Sequence, residues 1–365
     1  MRLLKAAVLK AFKAPLEIAD YPKPEVGSGE VLVRMTAAGI CGSDVHMWLG
    51  EDPRTPLPMI LGHEGVGVIE EIGGSKFDLY GRELHVGDPV IWDRAVVCGG
   101  CWFCSVKQLP NLCRSRWVYG IHKGCSDAPH LNGGYADHIL LVANTKIISL
   151  ADWGDFDPAI LVSAGCSGAT SANAVELADI RIGDNVLIQG AGPLGLFLVA
   201  YARAKGAANV IVIEGVETRM ELARRLGADV TLDFGATTPE QRKSAVMDAT
   251  NGFGADVGFE AVGRPEPVLE GIDLVRRGGA YVSVGTAVPM GTIPIDLYHQ
   301  IVFKQLRLQG AWTNDTRHII QALQIVKRNP DVFADMITHR YPLDQANEAL
   351  QSMAQRKAIK TAIVF

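Results

Sequence analysis

Residues 184–189 (DNVLIQ) read as a buried strand, and they run without a break into the loop Gly190, Ala191, Gly192, Pro193, Leu194, Gly195, which opens an apolar helical stretch at 194–205. A G-x-G-x-x-G pattern alone is weak, but between a strand and a helix it has the setting it needs. Gly190 permits the tight turn, Gly192 lets the backbone approach a pyrophosphate, and Gly195 lets helix and strand pack closely. The pyrophosphate would then lie at the positive end of the helix. A second strand, 209–213, ends in Glu214, which lies 24 residues after Gly190. An acidic group there accepts hydrogen bonds from ribose hydroxyls and repels a 2′-phosphate, so the sequence predicts NAD over NADP. Further strands at 256–260, 279–284 and 306–311 alternate with helical patterns such as 218–226. Repeated βα units of this kind predict an α/β unit built on a doubly wound parallel sheet.

The first 150 residues have another texture. Short β-type runs at 31–35, 67–72, 89–92 and 138–142 are punctuated by Gly and Pro, which predicts a β-rich, barrel-like unit. The tail returns to helix at 316–328 and 343–356 and closes on a strand at 361–365. With 48% hydrophobic and 21% charged residues the chain has globular composition. Its formal charge of −5 gives no electrostatic reason to expect nucleic acid or an anionic membrane as partner. Lys5 and Lys10 interrupt the opening residues, so no signal-peptide core is read there. No apolar run approaches the ~20 residues that span a bilayer. The expectation is a cytoplasmic protein with a small-molecule partner.

Four of the seven cysteines, Cys98, Cys101, Cys104 and Cys113, fall within sixteen residues. In a reducing compartment such a cluster reads as metal binding before disulfides, and four thiolates complete a tetrahedron, so a closed structural zinc site is expected. A second set is dispersed: Cys41 in GICGSDVH, His63 and Glu64 in GHEG, and Cys166 in SAGCSGAT. Two thiolates and one imidazole would leave a fourth position open, as a catalytic zinc requires. Spacing alone equally allows three unrelated core residues.

Taken in order, these motifs resemble the zinc-containing medium-chain alcohol dehydrogenase family over essentially the whole chain. The resemblance implies a GroES-like catalytic domain from 1–166 and 312–365 and a Rossmann NAD-binding domain at 167–311. It implies a catalytic zinc on Cys41, His63 and Cys166, with Glu64 as an alternate ligand and the four-cysteine lobe holding a second zinc. Asp44 would orient His63, while Ser43 and His46 would carry the alcohol proton to solvent. Arg219 would contact the adenosine ribose and Lys360 the pyrophosphate. Leu194, Val284, Gly285 and Thr286 would lie against the nicotinamide, with Thr170 and Val262 among the cofactor contacts.

The chain departs from liver-type members at Gly42, where they carry an Arg, and shares that Gly with sorbitol- and threonine-type members. Sorbitol-type members lack a cysteine at the position of Cys166. The insertion-like segment 77–84 resembles a bacterial branch related to hydroxycamphor and phosphonate-pathway dehydrogenases. Cys125 is left over as structural or incidental. Arg94 stands four residues before Cys98, where liver-type members place an aromatic residue that narrows the pocket. It admits recognition of an anionic substrate group, although a solvated or ion-paired surface Arg is the plainer reading. Trp48, Trp92 and Trp117 would suit bulky or cyclic substrates. The expected reaction is oxidation of a secondary alcohol, cyclic, bulky or polyol-like, to the ketone with NAD. The alternatives are a sorbitol- or threonine-type dehydrogenase and a zinc-dependent primary alcohol dehydrogenase. Only 21 residues separate Cys113 from Tyr135, a short lobe that resembles tetrameric bacterial members, so a homotetramer is expected over a homodimer.

Overall fold

A computed structural model describes residues 2–365. The chain divides into two compact units. One comprises Met1–Cys166, Asp315–Ile319 and Phe333–Phe365; the other comprises Ser167–Asn314 and Ile320–Val332.

The second unit carries a six-stranded, all-parallel sheet. From one edge the order is Val230–Asp233, Asn209–Glu214, Asn185–Gln189, Ala255–Glu260, Val275–Ser283 and Arg307–Gly310. The three central strands are almost wholly buried, as expected when helices cover both faces of a parallel sheet. Strand order reverses between Asn185–Gln189 and Ala255–Glu260, and at such a switch point the carboxyl ends of the strands leave a crevice for ligands. Register places Gln189 beside both Ile213 and Glu260, so the glycine loop is flanked by the ends of both neighbouring strands.

Strand Val230–Asp233 and helix Pro239–Ala249 were not anticipated from sequence. The strand is an edge of four half-buried residues, too short and too polar to show either an apolar run or an alternation.

The first unit is built on a mainly antiparallel, seven-stranded sheet centred on Val31–Ile40. That strand pairs with Gly65–Ile72, His138–Leu141 and the C-terminal Lys360–Val364. All but Arg34 and Thr36 of its ten residues are buried, and register shifts at Leu32/Val33 and Met35/Ala37 let it bend. The core beneath it gathers Val31, Val33, Met35, Ile40, Met59, Trp92 and Tyr135. Fully burying an aliphatic side chain contributes about 1.5–3 kcal/mol, so this strand end is a stiff base for the residues that follow it. Among the described residues, no helix is long and apolar enough to cross a membrane.

Candidate active site

Strand Val31–Ile40 ends by delivering Cys41 as the N-cap of helix Gly42–Leu49. Asp44, wholly buried in the first turn, accepts the Cys41 amide at 2.7 Å through Oδ2. Its Oδ1 lies 3.3 Å from His63 Nδ1, with both side chains fully enclosed. One carboxylate therefore positions the cysteine backbone and the imidazole ring together, leaving His63 Nε2 free to point elsewhere. That nitrogen is buried without a hydrogen-bond partner, as is Glu64 Oε1. Gly39 lies beside Glu64 so closely that a Cβ there would come within 2.0 Å of Glu64 Oε2; only glycine fits.

Cys166 enters from the end of the 3₁₀ helix Pro158–Gly165. Ligand atoms of Cys41, His63, Glu64 and Cys166 all lie within 4.8 Å of one another. The Cys41 and Cys166 sulfurs are 4.0 Å apart, twice a disulfide length and close to the ~3.8 Å edge of a tetrahedron with Zn–S of about 2.3 Å. Contact with Cys166 holds the Cys41 thiol well below the usual thiol range, helped by His63 and Lys360. Burial disfavours a charged His63, yet Asp44 and then Cys41 carry it up to about 9. Surroundings that favour positive charge, a thiol poised as thiolate and an orphaned buried imidazole nitrogen together suit a zinc ion. The dispersed motifs therefore meet, which spacing alone left open.

Ser43 and His46 lie three apart on the same helix, Ser43 Oγ being 3.9 Å from Cys41 Sγ. His46 Nδ1 is 2.6 Å from Glu51 Oε2. Sequence reasoning missed Glu51, which lies past the helix end; Gly50, at φ 78°, turns the chain back to make the contact.

The four-cysteine lobe also closes on itself. Cys101–Cys104 and Cys98–Cys113 are 3.5 Å apart and Cys101–Cys113 3.9 Å, all tetrahedral-edge distances. Short helical turns, Trp102–Val106 and Pro110–Leu112, bend the segment around the sulfurs.

In the second unit Gly190 adopts φ 93°, which a side chain disfavours, and a Cβ on Gly195 would lie 1.9 Å from the Gly190 carbonyl oxygen. Gly192 faces open space at the start of helix Pro193–Ala204, leaving room for a ligand against the amides. Ser171 Oγ donates to the Leu194 carbonyl at 2.9 Å, next to half-buried Thr170. Glu214 Oε2 accepts the Ala191 amide at 2.7 Å, Oε1 accepts those of Gly215 and Val216, and Arg219 lies 3.9 Å away.

Glu260 escaped the sequence reading because a glutamate closing a strand looks like a surface residue. It is fully buried, accepts the amides of Val262 and Gly263 through Oε1 at 2.7 and 2.6 Å, and that of Gly285 through Oε2 at 3.2 Å. It thereby shapes the loops that present Val262, Val284, Gly285 and Thr286.

Two expectations are corrected. Lys360, assigned to the pyrophosphate, is buried with its Nζ 2.5 Å from Glu64 Oε2, because its strand pairs with Val31–Ile40 and carries it into the cysteine–histidine cluster. Arg94, read as a solvated or ion-paired surface residue, is only 7% exposed. The tryptophans are committed to the fold. Trp92 packs in the core, Trp48 donates its indole N–H to the Ala14 carbonyl at 2.8 Å, and Trp117 stacks edge-on against Tyr119.

Comparison with known proteins agrees with this architecture. Residues 27–152 match the sequence model of the alcohol dehydrogenase GroES-like domain, and residues 193–328 that of the zinc-binding dehydrogenase domain. The chain is 34% identical to 5-exo-hydroxycamphor dehydrogenase of Pseudomonas putida, over 100% of this chain and 99% of that one. It superposes on an alcohol dehydrogenase of Thermotoga maritima with a TM-score of 0.96 at 45% identity, covering both chains completely. A zinc-binding dehydrogenase of Sinorhizobium meliloti, solved bound to NADP, gives a TM-score of 0.86 at 28% identity, again over all of both chains.

Proposed function

Because the chain belongs to the zinc-containing medium-chain alcohol dehydrogenase family, we propose that it oxidises a secondary alcohol, cyclic, bulky or polyol-like, to the ketone with NAD as hydride acceptor. The observation that carries this reading is the convergence of Cys41, His63, Glu64 and Cys166 within 4.8 Å, next to Ser43 on the helix that also bears His46. Cys41, His63 and Cys166 would hold the catalytic zinc, and Cys98, Cys101, Cys104 and Cys113 the structural one. When bound, the catalytic metal supplies Lewis acidity that eases loss of the hydroxyl proton.

The chain's own residues do the rest. A nicotinamide held at the glycine loop would take the hydride of the carbinol carbon with its electron pair, while Ser43 and His46 would carry off the hydroxyl proton, Glu51 holding the imidazole at the solvent side. Alcohol and NAD⁺ thus become ketone, NADH and one released proton. Asp44 keeps His63 in one tautomer and one orientation. In this reading the catalytic domain is 1–166 with 312–365, and 167–311 binds the cofactor in the cytoplasm.

The similarity to hydroxycamphor dehydrogenase supports a bulky secondary alcohol, now that the tryptophans do not. Glu214 supports NAD: its carboxylate repels a 2′-phosphate even while it accepts three amides. The test is NADH release from a panel of primary, secondary and cyclic alcohols, repeated with NADP. A short primary alcohol as best substrate, or equal kcat/KM with NADP, would overturn the corresponding half of the proposal.

A further inference from the structure

Phe234, the first residue past strand Val230–Asp233, is 57% exposed on a backbone tied down on both sides. Its amide donates to the Glu214 carbonyl at 2.9 Å, extending the pairing that sets Asp233 beside Glu214. Its carbonyl accepts Arg242 Nη1 at 3.4 Å. The turn that follows is pinned by Asp233 Oδ1, which accepts the amides of Gly235 and Ala236 at 2.7 and 3.3 Å. Thr238 then caps helix Pro239–Ala249, taking the Gln241 amide at 3.3 Å. An aromatic ring presented on so fixed a turn is a built surface and not a fraying end.

One face of the ring is already taken. Arg242 Cζ lies 4.7 Å from its centroid, and that guanidinium is itself buried. Its Nε and an Nη reach the two oxygens of Glu270 at 2.6 and 3.1 Å, and Nη1 reaches the Thr237 carbonyl. A cation fixed in this way holds the plane of the ring by attraction to its π-face. The exposed area then belongs to the opposite face and the rim. Two more exposed apolar side chains stand at the carboxyl ends of strands in the same sheet. Val216, 43% exposed, comes two residues after Asn209–Glu214, and Val262, 48% exposed, two after Ala255–Glu260. The glycine loop rises from the strand between those two: a Cβ on Gly190 would come 3.1 Å from Val262 Cγ2, and Glu214 holds the Ala191 amide. Exposed apolar side chains around a few fixed polar groups are the make-up of a ligand cleft.

On a nicotinamide dinucleotide the group beyond the adenosine ribose is adenine, a flat ring system with two stacking faces. We propose that Phe234, backed by Arg242, is the platform on which the adenine of the cofactor stacks, on the ring face turned away from the guanidinium. With the pyrophosphate at the glycine loop and the ribose at Glu214, Val216 and Val262 are the apolar side chains that close the same cleft. This rests on the reading above that a nicotinamide dinucleotide binds at the glycine loop, and it names the residue that holds the far end of that molecule.

The zinc-loaded chain is titrated calorimetrically with NAD, NADP and ADP-ribose, the last carrying the adenine without the nicotinamide. Loss of base–aromatic stacking in Phe234→Ala raises the Kd of ADP-ribose and of the dinucleotide about tenfold. Phe234→Tyr, which keeps the π-face, stays within about twofold of the wild type. Phe234→Leu, apolar but without a π-face, weakens binding as the alanine variant does. In turnover the change falls on KM for the dinucleotide and leaves KM for the alcohol as it was, a split that general loosening of the fold would not give. An ADP-ribose Kd within about twofold of the wild type in Phe234→Ala overturns the platform and leaves the dehydrogenase reading standing. The same result in Phe234→Leu also overturns it, which decides the matter should the alanine variant fail to fold. Equal weakening in the tyrosine variant overturns it too. If no alcohol reduces the cofactor, the dehydrogenase reading fails, and the platform is judged on ADP-ribose binding alone. A wild-type chain that binds none of the three ligands overturns both.

Discussion

Asp44 gives one oxygen to the Cys41 amide and turns the other to His63, while Lys360 reaches Glu64 across the same enclosed space. At this scale every group is held by a second one, and removing a partner exposes what it restrained. Cys166→Ser should lower kcat/KM by at least about a hundredfold with the fold intact, because the ligand set loses a thiolate. Elemental analysis should then fall from two zinc ions per chain toward one. Cys101→Ser should also lose one zinc but show it first as a lower Tm, since a closed site contributes folding energy directly. One zinc or none in the wild type would refute the two-site assignment. Burial pushes Glu64 above the usual carboxylate range even with Lys360 drawing it down. Lys360→Met would leave that carboxyl enclosed without its cation, at a cost of about 3–5 kcal/mol. Urea unfolding measures this, and Glu64→Gln in the same chain should recover part of the loss if the two act as a pair.

Strands and helices account for what could be read in advance. The central parallel strands and the glycine loop were legible because burial on both faces and a turn needing φ above zero each leave a local signature; of the strand behind Cys41 only the β-branched start, 31–35, was legible, since 36–40 is rich in Ala and Gly. The meeting of Cys41, His63 and Cys166 was not, since it depends on how the end of the 3₁₀ helix Pro158–Gly165 packs against a strand end 125 residues earlier in the sequence. Arg94 and Lys360 were misplaced because charge suggests surface: Lys360 is carried inward on the strand that pairs with Val31–Ile40, and Arg94 is buried between the short strands Pro89–Trp92 and Ala95–Val96. Asp256 illustrates how elements are tied. It accepts both nitrogens of Asn185 through Oδ2, at 2.7 and 3.0 Å, and Arg276 Nε through Oδ1 at 2.5 Å, linking three strands. Burial alone would raise its carboxyl, but the Asn185 amide and Arg276 hold it below the usual range. With a depressed folded-state value, its contribution is present above the ordinary carboxylate pKa of about 4 and is lost as pH falls through the folded value. Asp256→Asn should therefore lower Tm by about 2–4 °C at neutral pH, with the gap from wild type closing below about pH 4. A gap constant from neutral to acid pH would show that charge is not what Asp256 supplies.

The whole molecule presents an open sheet edge. Arg307–Gly310 is the last strand of the six-stranded sheet, with Leu308 43% exposed on it. The preceding segment exposes Leu297, Tyr298, Val302 and Phe303. An edge strand with apolar side chains invites pairing with another chain, and a second copy meeting it about a two-fold axis would bury the patch and join two sheets into one. Such pairing yields a dimer; a second self-complementary surface then yields a tetramer, the assembly expected from the short segment between Cys113 and Tyr135. Light scattering should give the mass of four chains. Leu308→Lys, which places a charge on the edge, should reduce that mass at unchanged zinc content. A wild-type mass of one or two chains would refute the tetramer, and a tetramer indifferent to Leu308→Lys would move the interface away from this edge.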